Sequence, residues 1–146
     1  MSIRYEMGTP AAGGKAYRRF RGSFTPSGAG VSSASGANRG TNFTPSHSGT
    51  TGIYRVTLTN DLGETLPFLR LVKAIVSYQQ LNADTAPTFA VVGTVVEASG
   101  TVDIIVWAEG AGTLAKANVT ASGVARRINF DFEIAIDDIP GDGASA

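Results

Sequence analysis

The chain of 146 residues predicts an all-β fold: an antiparallel β-sandwich or jelly roll carrying an extended N-terminal arm. Three observations lead there. Apolar and polar residues alternate with period two in several segments, as half-buried strands require. Clusters of Gly, Pro, Asn and Asp separate those segments. No stretch carries the 3.6-residue apolar stripe of an amphipathic helix. Many short strands with turn signals between them read as an antiparallel sandwich or barrel.

Taken in order, residues 1–16 hold Gly8, Pro10, Gly13 and Gly14 among alanines and show no period, so an extended arm is expected. Residues 16–24, AYRRFRGSF, alternate loosely and can form a first strand. One face carries Tyr17, Arg19, Arg21 and Ser23; the other carries Arg18, Phe20, Gly22 and Phe24. Residues 25–52 are dominated by Gly, Ser, Thr, Ala and Asn and offer little to bury, which predicts a long loop. Within this stretch FTPSGAG at 24–30 is echoed by FTPSHSG at 43–49. The phrase reads as a local device: an aromatic anchor, a Thr pushed to extended geometry by Pro, and a later Gly free to take positive φ. Two strands ending at one rim with one turn solution would explain the pair.

From Ile53 the signal sharpens. Tyr54, Val56 and Leu58 alternate with Arg55, Thr57 and Thr59. Residues 70–80 are rich in β-branched residues, with Lys73 facing opposite its apolar neighbours. Residues 88–98 form a near-continuous apolar run whose central Gly93 predicts a bulge or a close approach. Val102, Ile104 and Val106 then alternate with Asp103, Ile105 and Trp107, and Trp107 is expected to anchor the core. A weak edge strand follows GAG at 110–112. The clearest element is 125–136, where Ile128, Phe130, Phe132, Ile134 and Ile136 share one face and Asn129, Asp131, Glu133 and Ala135 the other. The expected organisation is therefore an arm and long loop over 1–50 (with a strand at 16–24), a sandwich over 51–137, and a flexible acidic tail over 138–146. The expected core includes Tyr54, Val56, Leu58, Val106, Ile128, Phe130, Phe132 and Ile134.

Composition narrows the function. No cysteine is present, which removes disulfides and thiol catalysis. The opening residues lack the apolar run of a secretory signal, and no run approaches the roughly 20 apolar residues of a membrane helix. Net charge is zero but unevenly spread: residues 1–60 hold seven Lys or Arg against one acid, and residues 61–146 hold five against eleven. A basic leading segment resting on an acidic surface, its own or a neighbour's, is the expectation. Arg4, Lys15, Arg18, Arg19, Arg21 and Arg39 are its candidate partner contacts. The cluster is small and the whole chain is not basic, so nucleic acid is not expected as a partner. Charged residues make up only 16% of the chain, which fits a surface partly covered by other protein.

Chemistry finds little to work with. His47 is the one histidine, expected in an exposed loop, and a single imidazole without neighbouring carboxylates holds no metal. None of the GxSxG, HExxH or P-loop patterns occurs. Asp131 and Glu133 share a strand face as glycosidase acids can, but read more simply as its solvated side. Asp137 and Asp138 lack the ligand spacing of a calcium loop. Asn118-Val119-Thr120 matches a glycosylation acceptor, which carries no meaning without a secretory signal.

The stretch Gly52, Tyr54, Val56 and Leu58 after a small-residue loop resembles the strand entry of small jelly-roll modules in bacteriophage virion proteins. Those modules are similar to the trimeric complement and tumour-necrosis-factor-like sandwiches. The likeness extends through the apolar strands at 89–96 and 102–107 to the alternating strand at 128–136, about 90 residues in all. It implies a homotrimer that decorates a capsid or forms part of a tail or fibre, made in the host cytoplasm and located in the virion. It also implies contact with a major capsid or tail protein and no catalysis. No cofactor, metal, membrane or small-molecule substrate is expected. The alternative is a carbohydrate- or receptor-binding sandwich, with Trp107, Tyr78 or His47 stacking on a sugar ring.

Overall fold

The computed structural model describes residues 15–80, 87–119 and 126–138. They fold as an all-β sandwich of antiparallel sheets. The strands are β1 (Lys15–Phe24), β2 (Pro26–Ser27), β3 (Gly30–Val31), β4 (Arg39–Gly40), β5 (Phe43–His47), β6 (Ile53–Leu58), β7 (Arg70–Gln79), β8 (Thr88–Val96), β9 (Thr101–Gly110), β10 (Thr113–Lys116) and β11 (Arg127–Asp138). Sheet one runs β4-β1-β11-β7. In sheet two, β9 pairs with β8 along one edge and with β6 and β10 along the other, and β5 flanks β6. The pair β2-β3 is a small separate hairpin. No helix among the described residues is long and apolar enough to cross a membrane.

Alternation decides what each strand buries. From sheet two, Tyr54, Val56, Leu58, Val102, Ile104 and Val106 are fully buried; from sheet one, so are Phe24, Ile128, Phe132 and Ile134, with Phe20 and Phe130 nearly so. Each such side chain contributes roughly 1.5–3 kcal/mol by leaving water. Aromatic contacts knit the layers: the Phe43 ring meets Phe130 edge-on at 4.8 Å, and Phe130 stacks on Phe132 at 4.8 Å. The eight expected core residues all lie in this interior.

Three expectations need correction. First, the arm does not run to residue 50. The strand expected at 16–24 is present as β1 over 15–24, but it is an interior strand of sheet one paired with β11 and β4, so Arg18, Arg19 and Arg21 ride on the sandwich. Residues 25–50 contribute β2 to β5, and β5 pairs with β6 across the proposed domain boundary. Thr25, Pro26, Ala37 and Pro45 are buried, although the stretch was expected to offer little to bury. Second, β11 continues to Asp138, where the tail was expected to begin. Residues 1–14, with Arg4, and residues 139–146 lie outside the described residues, as do the side chains of Lys15, Asp137 and Asp138. Third, Trp107 stands on the outward face of β9, because Val102, Ile104 and Val106 take the inward positions.

The repeated phrase divides. In the first copy Phe24 closes β1 and Gly28 turns the β2-β3 hairpin at φ 58°, as expected. In the second copy Phe43 opens β5, the phrase runs on as strand, and Gly49 takes φ 91° only after His47. The two copies therefore do not end strands alike.

Candidate functional site

The outward faces of the two sheets differ in kind. On sheet two the register places Ile53, Ile105 and Val91 side by side across β6, β9 and β8, and Phe89 beside Trp107 in the next row. On the other flank of Trp107 stands Lys116 of β10, and Leu114 lies one row further on, opposite Glu109. Phe89 and Val91 are exposed, at 43% and 38%, as is Leu114 at 51%. Gly93 lies where the β8 ladder shifts register, and a Cβ there would stand 2.9 Å from Cγ1 of Ile105. The glycine thus lets Ile105 lie flat along the sheet, and the expected close approach is present. One row beyond, Arg55 grips Asp103 with two hydrogen bonds, Nε to Oδ1 at 2.7 Å and an Nη to Oδ2 at 3.1 Å. That bond raises the Arg55 pKa above its ordinary value and seals the row next to the apolar band.

The centre of sheet one's outward face is charged. Asp131 of β11 accepts two hydrogen bonds from Arg19, at 2.9 and 2.7 Å, and a third from Arg21 at 3.4 Å. Lys73 approaches the same carboxylate at 3.7 Å from the opposite side. The hydrogen bond from Arg19 is the main reason that the Asp131 pKa falls to about 2. Lys73 faces outward as expected, with Ile75 beside it, 55% exposed, and Tyr17 flanks the far side. Arg39 of β4 lies beside Ser23 of β1, and Ser23 beside Asn129 of β11. Arg127 is buried beneath the 36–37 turn; it donates to Ser23 Oγ at 3.0 Å, to the Ala37 carbonyl at 3.1 Å and to the Gly36 carbonyl. Burial, and then the charge of Arg39, lower the Arg127 pKa.

A polar clasp closes one end of the sandwich. The Tyr54 hydroxyl donates to the Gly28 carbonyl at 2.7 Å and accepts from the Val119 amide at 3.0 Å. His47 packs edge-on to the Tyr54 ring at 5.2 Å. Its Nδ1 accepts from the Gly49 amide at 3.1 Å, so in the neutral ring Nε2 carries the proton and donates to Asn118 Oδ1 at 2.9 Å. The same oxygen accepts the Gly52 amide at 2.7 Å. His47 is thus a structural strand residue, correcting the exposed-loop expectation, and Asn118 is a clasp member. Both copies of the repeated phrase meet at Tyr54, through Gly28 and His47.

The candidate residues therefore separate. Arg19, Arg21 and Arg39 gather on sheet one's outward face, while Arg18 lies on the opposite side of β1 with its guanidinium 5.4 Å from the Phe20 ring centre. His47, Tyr78 and Trp107 share no surface: Tyr78 pairs with buried Ile128 on the core side of sheet one, and Trp107 faces outward on sheet two. Asp131 and Glu133 do share a face, with Asp131 locked in ion pairs. Among the described residues no three metal-ligating side chains come together. Sequence reasoning missed the band of Ile53, Phe89, Val91 and Ile105. Its signal was present, since β9 is apolar on both faces through Ile105 and Trp107, and such strands are usually covered on both sides. Compared with protein-family models, curated proteins and solved structures, the chain gives no significant match to any of them.

Proposed function

We propose that the protein is a non-enzymatic structural subunit that associates with copies of itself and with a larger shell. The observation that carries this reading is the apolar band of Ile53, Ile105, Val91, Phe89 and Trp107 across three strands of sheet two. Contiguous apolar surface on a folded domain marks a protein contact, because leaving it in water forgoes roughly 25 cal/mol for each square ångström. The resemblance to jelly-roll modules of bacteriophage virions supplies the setting: a capsid decoration or a tail or fibre component, assembled as a homotrimer. Many copies on one shell then add avidity to individually weak contacts.

A second reading keeps the face and changes its occupant. Trp107 and Phe89, adjacent across β9 and β8, form an aromatic platform on which a sugar ring of a receptor glycan could stack. Sedimentation velocity over a range of concentrations separates the two. The assembly reading expects an oligomer in the purified protein and a monomer, with unchanged circular dichroism, in Ile105→Glu. A protein that sediments as a monomer at every concentration and binds a glycan through Trp107 would overturn it.

A further inference from the structure

The outward face of sheet one holds more cationic groups than its carboxylates need. Asp131 pairs with Arg19, Arg21 and Lys73, and Glu133 on the same face adds its charge beside Arg19. Arg39 has no carboxylate within ion-pair distance among the described residues. Between Arg21 and Arg39 lies an open concavity of about 440 Å³. Besides the two arginines it is lined by Gly22, Ser23, Gly40, Asn129, Phe130 and Asp131. Gly40 makes the hollow possible. It takes φ 107°, and a Cβ there would sit 2.5 Å from the Arg21 carbonyl oxygen, so β4 can lie this close to β1 only as glycine.

We infer that this concavity is a binding site for a single oxyanion group, a phosphate or a carboxylate. Arg21 and Arg39 are diagonal neighbours on adjacent strands, a placement that sets the two residues about 7–8 Å apart. Two long guanidinium side chains rising from such points can converge on one anion and bind it with paired N–H donors. The Ser23 hydroxyl accepts from Arg127, which leaves its own proton to donate into the hollow. The Asn129 amide stands beside it in the same row. Arg127 adds a fixed positive charge behind Ser23. Asp131 also lines the hollow and accepts from Arg21 at 3.4 Å, so an incoming anion shares Arg21 with it and relies most on Arg39. The site lies on the opposite sheet from the apolar band and stands independently of the assembly reading.

Titration of the full chain with inorganic phosphate and, separately, with sodium acetate at constant ionic strength tests this, followed by NMR of backbone amide and arginine Nε–H signals. Saturable binding of phosphate, of acetate or of both is expected, with shifts centred on Arg21, Ser23, Arg39 and Asn129. Phosphate saturation would indicate a phosphoryl ligand, and saturation by acetate alone a carboxylate. Arg39→Gln, which alters an exposed side chain, should weaken binding at least fivefold. Arg70→Gln removes the same charge from the far end of the sheet, about four residues or 13 Å along the strand direction from Asp131, and should leave affinity unchanged. The inference is overturned if neither anion saturates, or if the two variants weaken binding equally, which would mark diffuse attraction to a positive surface.

Discussion

The two outward faces of the sandwich cover the same core and obey the same alternation, yet one centres on Arg19, Arg21, Lys73 and Asp131 and the other on Ile53, Ile105, Val91 and Trp107. The inward residues are fixed by packing: both sheets present Phe, Ile, Val and Leu to one interior. The outward residues are less tightly constrained by packing, so their difference reports on what each face meets. A charged face with internal ion pairs is stable in water. An apolar face gains only when something covers it.

The largest expected effect breaks both faces together. Phe132→Ala empties the centre of the core beneath sheet one, where Phe132 is fully buried and stacked on Phe130. A loss of about 3–5 kcal/mol is expected in urea unfolding. A loss below about 1 kcal/mol would mean that the sheets do not share a close-packed interior.

A smaller effect isolates the charged face. The Asp131 carboxyl is held at about 2, below its ordinary value of 3.8, chiefly by Arg19. A depressed folded-state pKa stabilises the fold above the unfolded value, and that contribution disappears as pH falls from about 4 through 2. Asp131→Asn should therefore cost on the order of 1 kcal/mol at neutral pH and flatten the acid limb of the stability profile over that window. Equal acid sensitivity in the variant and the parent would show that the three cations around Asp131 do not hold the face together.

Much of this arrangement could be read from the chain alone, and the reasons are local. In 128–136 and 53–58 every second residue is large and apolar, so both strands and their inward residues are visible in a short window. The stretch 25–50 has no such period. Its strands are two to five residues long, and β5 is specified by β6, which receives Phe43 opposite Leu58 and Pro45 opposite Val56. The role of β1 was hidden for a related reason: the partner of Arg19 is 112 residues away, and only the folded sheet brings Asp131 beside it. Arg39 and Ser23 likewise meet Asn129 only through strand order, so the concavity has no sequence motif. Trp107 was misplaced because an apolar strand suggests burial without saying which face lies against which neighbour.

The central claim is that the apolar face of sheet two is covered when the protein is at work, and the chain contains its own reporter. Trp107 is the single tryptophan and stands on that face beside Phe89. Its fluorescence should be read, with iodide quenching, from dilute protein to the concentration at which sedimentation shows an oligomer. The account predicts a blue-shifted emission and a sharp fall in quenching as copies associate. Emission and quenching that stay constant while the protein oligomerises would contradict it.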